Sequence, residues 1–289
     1  LKAVNPKLVH ATLTGYGTQG SEAWRPGYDV TAFFGRSGLL DAVREGDDGV
    51  PARPSTAQGD HTTGLALLSG ILAALRLVER TGEFQAIETS LLETAVWTQA
   101  TDYAATLVDG APLRKRDRYE VLAVTSNRYP CRDGKWVMVN MPEPKWWGPF
   151  CNALEKPEWR EDPRFVSARD RYQNMKTIVR LVDEVMIEKE LEEWGRIFDE
   201  HRVVWAPVQG IHEVTTDPQA EALGLFPTLQ ARELGNYRTV RAPINFHTAE
   251  ILPERCSPQA GEQTKLILSE LGFSEDEMEQ LKSEKITDY

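Results

Sequence analysis

The stretch GDHTTGLALLSGILAALRLVERTG, residues 59–82, decides the fold of the first part of this chain. Its apolar side chains recur every three or four residues, which is the period of one face of an α-helix. The residues at this spacing are Leu65, Leu68, Ile71, Leu72, Leu75 and Val78. Asp60 stands where an acidic residue favours a helix start, and Gly82 stands where glycine ends a helix. The pattern therefore predicts a long helix over residues 60–81.

Strand and helix patterns alternate on both sides of this helix. Residues 8–13 and 85–89 are short β-prone runs, of the length that a buried strand needs. Residues 29–43 and 91–108 carry apolar side chains at helical spacing. Strands that alternate with helices are typical of an α/β layer, so the sequence predicts a partly parallel sheet in this region.

Beyond residue 110 the pattern becomes a mixed α+β one. The basic segment 112–118 is typical of a linker, and Asp133-Gly134 is the two-residue turn of a hairpin over residues 128–140. The other predicted elements are helices over 172–189, 191–201, 264–271 and 274–283, the last with a Ser274–Glu277 capping box, and strands over 226–230 and 237–241.

Charge and composition exclude some classes of partner. The 289 residues include 33 Lys and Arg against 44 Asp and Glu, a formal net charge of -11. Such an acidic chain is a poor candidate for nucleic-acid binding, which depends on neutralising phosphates. The most apolar stretch, residues 65–78, is shorter than the roughly 20 residues that span a bilayer, so we expect no membrane contact. Three cysteines at unmatched spacing, Cys131, Cys151 and Cys256, favour a reducing, cytoplasmic location.

Asp60 is the main candidate for chemistry. Its flanking glycines, Gly59 and Gly64, leave room for a substrate beside the carboxylate. A carboxylate at a helix start can attack an activated carbonyl, while free N–H groups hold the oxyanion. The alternative is an ordinary helix cap. The five histidines show no metal-binding spacing, so we expect no metal, and the basic residues 114–118 either meet an anionic cofactor or form a solvated linker.

A series of short motifs in chain order resembles the family III CoA-transferases, the group of formyl-CoA transferase, carnitine CoA-transferase and α-methylacyl-CoA racemase. The matching segments are NPKLVHA (5–11), TGYG (14–17), RPGYD (25–29), SGL (37–39), GDHTTG (59–64), GILAAL (70–75), DG (133–134), EDPRF (161–165), APV (206–208) and GEQT (261–264). The matches cover nearly the whole chain at compatible spacing. The resemblance therefore favours the nucleophile over the cap as the interpretation of Asp60.

The resemblance implies an α/β fold with a Rossmann-like large domain and a smaller α+β domain, in subunits that interlock as linked rings in a homodimer. By this comparison, residues 1–110 are the remaining part of the large CoA-binding domain with the catalytic helix, and residues 111–255 are the linker and small domain. Residues 256–289 are C-terminal helices that return to the large domain. The chain begins at Leu1 without Met or a signal segment, so we expect that the N-terminal part of the large domain is missing.

The resemblance also implies the substrates and the site. Asp60 carries coenzyme A as a thioester between an acyl-CoA donor and a carboxylic acid acceptor. The residues implied to line the coenzyme A path, with Tyr28 close to the reacting thioester, are Arg25, Pro26, Gly27, Tyr28 and Gly59.

Two departures from the family pattern bear on specificity. Residues 114–124 contain no glycine where formyl-CoA transferase has a glycine-rich loop over its aspartate, which argues against formyl or oxalate specificity. The racemases carry a catalytic histidine where this chain has Tyr28, so a two-base proton exchange lacks one partner. The sequence favours a transferase. An acyl-CoA racemase or hydrolase of the same family, and a non-catalytic structural subunit, stay open as alternatives.

Overall fold

The computed structural model describes residues 1–55, 57–231, 235–249 and 256–287. The chain divides into two compact units, Leu1–Pro207 and Val208–Tyr289. The first unit contains two separate clusters of buried side chains, one within residues 32–95 and one within residues 124–203. These bounds differ from the division into residues 1–110, 111–255 and 256–289, which stays a prediction about the domains.

The first unit begins with a strand–helix–strand arrangement. Strand β1 (Val9–Thr14) pairs in parallel with β2 (Gln85–Ser90), and the register runs from Val9 opposite Gln85 to Thr14 opposite Ser90. Because parallel neighbours need a crossover connection, the chain between them carries a long helix that lies against both strands. The α/β layer with a parallel strand pair is thus confirmed, whereas the Rossmann-like character of the domain stays a prediction. The helices of the crossover are a π-helix, Asp29–Gly35, and the α-helices α1 (Leu39–Ala42) and α2 (Gln58–Thr81).

Helix α2 has 24 residues and ends at Gly82, whose φ of 68° is one that glycine adopts at little cost. Its start lies two residues before the predicted one. Several of its leucines, among them Leu65 and Leu72, are 43–58% exposed. By length and composition alone, α2 is long and apolar enough to cross a bilayer. The sequence had indicated that its apolar stretch, residues 65–78, is too short to do so. Core helices of soluble proteins meet the same criterion, so the absence of membrane contact stays a prediction.

Two predicted helices are interrupted. The predicted helix 29–43 is wrong in its continuity, because Gly38 adopts φ 79° between the π-helix and α1. The predicted helix 91–108 divides at Gln99 into α3 (Leu91–Thr98) and α4 (Ala100–Asp109). The Gln99 side chain is buried, and its amide donates to Ser37 Oγ at 3.1 Å and to the Ala95 carbonyl at 3.0 Å. A tertiary contact therefore replaces the regular continuation of the helix.

The second buried cluster of the first unit packs around a three-stranded sheet. The predicted hairpin is confirmed, with antiparallel strands on either side of a turn in which Gly134 has φ 76°. Helix 172–189 is partly confirmed and helix 191–201 is confirmed, whereas α5 and β5 were not predicted. The elements are β3 (Ser126–Pro130), β4 (Trp136–Asn140), α5 (Trp147–Ala153), α6 (Ala168–Gln173), α7 (Met175–Met186), α8 (Leu191–Glu200), β5 (Trp205–Pro207) and the 3₁₀ turns Pro144–Trp146 and Pro157–Arg160.

The second unit is smaller. The two predicted strands are confirmed and pair in antiparallel fashion, although β6 begins two residues after its predicted start and β7 begins two residues before its own. The capping box is also confirmed, because the Glu277 N–H donates to Ser274 Oγ at 3.3 Å and the Ser274 N–H donates to Glu277 Oε2 at 2.8 Å. The elements are α9 (Ile211–Val214), α10 (Pro218–Ala222), β6 (Thr228–Ala231), β7 (Gly235–Arg238), α11 (Thr264–Glu270) and α12 (Glu275–Ser283).

Candidate active site

The first turn of α2 has backbone N–H groups that bond to no acceptor among the described residues. The helix follows Ala57, and the N–H of His61 donates to the Ala57 carbonyl at 3.0 Å. The N–H groups of the residues before His61 come earlier than this bond, and at any helix start such groups have no acceptor within the helix. The Gly59 N–H donates to the Asp29 carboxylate, with Gly59 N and Asp29 Oδ1 2.8 Å apart. Among the described residues, no acceptor is bonded to the N–H of Gln58 or of Asp60.

Asp60 is the third residue of α2, and its side chain is exposed. The residue at the cap position is Ala57, so the interpretation of Asp60 as the helix cap is wrong. Within the described part of the chain, the Asp60 carboxylate accepts no hydrogen bond and forms no ion pair. A negative charge in the first turn is favoured by the helix dipole. The structure thus offers an accessible carboxylate beside backbone donors, an arrangement that suits attack on a carbonyl carbon.

The two glycines that flank this region differ in their surroundings. A Cβ atom on Gly59 would lie 2.3 Å from Phe33 Cγ and 2.4 Å from Asp29 Oδ1. A Cβ atom on Gly64 would have no neighbour within 4 Å. The missing side chain at Gly59 therefore lets α2 pack directly against the π-helix, whereas the open space lies beside Gly64. The expected contact of Gly59 with substrate stays a prediction.

The RPGYD segment lies against the end of β1. A Cβ atom on Gly27 would be 2.7 Å from the Cα of Gly15, so the two backbones pass each other closely. The Tyr28 side chain is 78% exposed, and it precedes the residue whose carboxylate binds the Gly59 N–H. Because Tyr28 and Asp60 each adjoin that hydrogen bond in sequence, the fold brings these two segments together.

The other predicted members of the coenzyme A path are on the surface of the same segment. Pro26 is exposed, and the guanidinium of Arg25 forms a surface ion pair with Glu22 at 2.9 Å. Surface pairs of this kind contribute little to stability and break readily, so the pair leaves Arg25 able to meet an anion.

Three of the four cations in the basic segment 114–118 form ion pairs within the chain. Arg114 pairs with Glu120 at 3.1 Å, and Lys115 pairs with Asp41 at 2.8 Å. Arg118 is buried and donates to both carboxylate oxygens of Asp183, which raises the pKa of Arg118. These three cations are therefore occupied by acidic partners of this chain. The structure gives no support to a phosphate site on them.

Cysteine and metal chemistry find no support in the described residues. Burial raises the pKa of the Cys131 thiol to about 11 and that of Cys151 to about 12, so both thiols stay protonated and unreactive at neutral pH. No group of three or more His, Cys, Asp or Glu side chains is placed to hold a metal ion in the part of the chain that the structure describes. The absence of a metal nevertheless stays a prediction.

The sequence alone did not indicate a role for the Asp29 side chain, which contacts the start of α2 across 30 residues of sequence. Asp29 belongs to the RPGYD motif, but no local period or spacing rule assigns a task to its carboxylate. The sequence shows only that Asp29 and Gly59 each belong to a family motif, RPGYD and GDHTTG. Two separate motifs do not indicate that these residues are in contact.

Comparison with known proteins agrees with the motifs. The sequence model of the family described as "CoA-transferase family III" matches residues 1–264. The chain is 30% identical to (R)-2-hydroxy-4-methylpentanoate CoA-transferase of Clostridioides difficile, over all of this chain and 72% of that protein. It is 29% identical to the Alpha-methylacyl-CoA racemase of Homo sapiens, over 99% of this chain and 73% of that protein. A crystal structure of a CAIB/BAIF family protein from Brucella suis has a TM-score of 0.80 and 26% identity, over 93% of this chain and 69% of that one.

Proposed function

We propose, because the chain belongs to CoA-transferase family III, that it transfers coenzyme A from an acyl-CoA donor to a carboxylic acid acceptor through a thioester formed on Asp60. The observation that carries this proposal is the exposed Asp60 carboxylate in the first turn of α2, without a side-chain partner in the described residues and next to backbone donors. A carboxylate that served only the fold would be expected to cap the helix or to form an ion pair.

In the proposed reaction, the Asp60 carboxylate attacks the thioester carbonyl of the donor, and a mixed anhydride forms as the thiolate of coenzyme A leaves. The carbonyl carbon of Asp60 is next attacked by that thiolate, which releases the donor acid as a carboxylate and leaves the aspartyl thioester. An acceptor carboxylate attacks Asp60 in turn and expels the thiolate. The thiolate then attacks the acceptor carbonyl, which gives the new acyl-CoA and restores the Asp60 carboxylate.

Each of these attacks places negative charge on a carbonyl oxygen. The N–H groups of Gln58 and Asp60 are the donors that the start of α2 offers to it, since the Gly59 N–H is already bonded to Asp29. Preorganised donors of this type cost no reorganisation at the moment of reaction. The proposed oxyanion site therefore uses two N–H groups, whereas the sequence suggested all the N–H groups at the helix start.

Arg25, Pro26, Gly27 and Tyr28, with Gly59, form the proposed wall of the coenzyme A path. The exposed Arg25 guanidinium suits a phosphate of the nucleotide. The exposed Tyr28 phenol suits a hydrogen bond near the thioester, one residue away from the contact with α2. The interlocked homodimer, the cytoplasmic location and the absence of nucleic-acid and membrane partners are parts of the same proposal.

The test of the function is a transfer assay with acyl-CoA donors and a labelled acceptor acid. A 2-hydroxyacyl-CoA with a 2-hydroxy acid is the first pair to try, because a relative is named for such an acid. We expect the label to appear in acyl-CoA. Scrambling of an α-centre without transfer would point to the racemase, release of free coenzyme A would point to the hydrolase, and neither would point to a structural subunit.

Tyr28 separates the transferase from the racemase. Racemisation needs groups on both faces of the α-carbon, and an imidazole suits that task because it titrates near neutral pH. With tyrosine at this position, we expect no incorporation of deuterium at the α-carbon of a 2-methylacyl-CoA incubated in D₂O, as followed by mass spectrometry. Tyr28→Phe should lower transfer by about tenfold, since it removes one hydroxyl and leaves Asp60 in place. Rapid α-deuteration by the wild type that Tyr28→Phe abolishes would contradict this assignment.

A further inference from the structure

The carboxylate of Asp29 is buried between the π-helix and the start of α2. The residue is 5% exposed, and Oδ1 accepts the Gly59 N–H at 2.8 Å. The second oxygen, Oδ2, is also buried and accepts no hydrogen bond from any described residue. Among the described residues, the Asp29 carboxylate thus accepts one hydrogen bond, and that bond comes from the residue next to Asp60.

Such an arrangement is costly for the fold alone. Burial removes the water that would solvate a carboxylate, and an unpaired buried oxygen keeps that penalty. The partial positive charge of the start of α2 offsets part of this desolvation penalty, because it stabilises an anion at this position. A neutral apolar residue would fill the same space without an unpaired oxygen. The carboxylate therefore has a use that packing does not supply.

The π-helix that carries Asp29 is fixed by its own hydrogen bonds and by packing. The Tyr28 N–H donates to Thr31 Oγ1 at 3.0 Å, and the Thr31 hydroxyl donates to the Tyr28 carbonyl at 3.1 Å, which fixes the start of the π-helix. Phe33, in the next turn, is 4% exposed in the first buried cluster. The π-helix is thus anchored in the core, so the bond from Asp29 transmits a fixed position to α2.

Among the described residues, the start of α2 is held by fewer hydrogen bonds than the start of the π-helix. Ala57 adopts a left-handed φ of 70° and provides no side-chain hydrogen bond to the first turn. The Gly59 N–H is the one backbone donor before His61 that a described side chain holds. Without this bond, no described side chain would hold a backbone N–H of the first turn at the residue before Asp60.

We propose that Asp29 is a positioning residue for the reaction: its Oδ1 holds the Gly59 N–H, and thereby sets the place of the Asp60 carboxylate and leaves the N–H groups of Gln58 and Asp60 for the oxyanion. This proposal rests on the proposed function of Asp60. The same hydrogen bond joins the residue after Tyr28 to the residue before Asp60, so it also ties these two segments to each other.

The test compares Asp29→Ala with Asp29→Asn, which keeps an oxygen acceptor and removes the charge. We expect Asp29→Ala to lower kcat by about a hundredfold, because a displacement of about 1 Å has such an effect on a nucleophile. KM for acyl-CoA should change by less than about threefold. Asp29→Asn should recover kcat to within about fivefold of the wild type, since its amide oxygen can accept the same N–H. Asp109→Asn, which changes an exposed carboxylate at the end of α4 that pairs with no described side chain, is the control and should have no effect.

A second readout does not depend on activity. Hydrogen exchange at the Gly59 amide should be slow in the wild type and in Asp29→Asn, and fast in Asp29→Ala. A folded Asp29→Ala with wild-type kcat, or a loss of kcat in Asp29→Asn with Gly59 still protected, would overturn the proposal. If Asp29→Ala does not fold, Asp29→Asn alone decides by that second criterion.

The same experiment separates this proposal from the proposed function. A wild-type protein that transfers no coenzyme A and forms no adduct on Asp60 refutes the function, whereas protection of the Gly59 amide reports the contact of Asp29 independently. Transfer by the wild type with full activity in Asp29→Ala refutes the positioning role and leaves the function intact.

Discussion

Replacement of Asp60 by Asn is expected to lower coenzyme A transfer by about a thousandfold or more. Without the nucleophile, the protein can still bind the donor, but nothing displaces the coenzyme A thiolate from it or carries coenzyme A to the acceptor. The fold should be little affected, because the Asp60 carboxylate is exposed and neither caps α2 nor binds another described side chain. The measurement is transfer at saturating donor and acceptor, together with a urea denaturation curve to verify the fold.

Glu79→Gln is the matched control for this variant. It makes the same exchange of carboxylate for amide on the same helix, on an exposed residue that pairs only with Arg76 among the described residues. Because Glu79 follows Asp60 by 19 positions and a helix rises about 1.5 Å per residue, Glu79 lies about 28 Å from Asp60 along the helix axis. Full transfer is expected from it.

Trapping with hydroxylamine identifies the intermediate directly. Hydroxylamine added during turnover attacks the carbonyl of an aspartyl thioester, releases coenzyme A and leaves a hydroxamate on the residue. Peptide mass spectrometry should find this adduct at Asp60 in the wild type and at no other acidic residue. Turnover of Asp60→Asn near the wild-type rate, or a hydroxamate at another position, would refute Asp60 as the nucleophile.

Gly59→Ala and Gly64→Ala should differ sharply, although both add one methyl group to α2. At residue 59 the new Cβ would lie 2.3 Å from Phe33 Cγ and 2.4 Å from Asp29 Oδ1, so the helix start must move. Overpacking of this kind costs about 1–3 kcal/mol in the free energy of unfolding. At residue 64 the methyl group meets open space, and alanine should stabilise the helix by up to about 1 kcal/mol.

Activity should follow the same division. A displaced first turn misplaces the Asp60 carboxylate, so Gly59→Ala should lose transfer by about ten- to a hundredfold even where it is folded. Urea denaturation and the transfer assay, performed on both variants in parallel, measure the two effects. Equal stability and equal activity of the two variants would show that α2 does not depend on its contact with the π-helix.

The sequence was sufficient for elements whose cause is local. Helix α2, the turn at Gly134 and the cap at Ser274 each follow from spacing or residue type within a few positions. The break at Gln99 could not be predicted, because its cause is a contact with Ser37, 62 residues away. Gly38 carried a hint of a break, yet the apolar spacing of residues 29–43 concealed it.

The candidate site shows the same limit. Asp60 was a candidate from its place at a helix start between two glycines, and the family resemblance favoured it as the nucleophile. Its exposure, and the neighbouring N–H groups without an acceptor among the described residues, could be seen only in the fold. The bond between Asp29 and Gly59 joins two motifs that are separate in sequence. No rule that counts positions along one chain can supply such a contact, since it arises from the packing of two helices.

The close passage of the Gly15 and Gly27 backbones, together with the filled space at Gly59, has a consequence for how this protein can diverge. A Cβ atom at Gly15 or Gly27 would lie 2.7 Å from backbone, and one at Gly59 would meet the side chains of Phe33 and Asp29, so a substitution at any of the three requires neighbouring atoms to move. Exposed positions such as Tyr28 and His61 meet no such obstacle. We therefore expect substitutions that alter the choice of acid at exposed positions of this kind rather than at the three glycines.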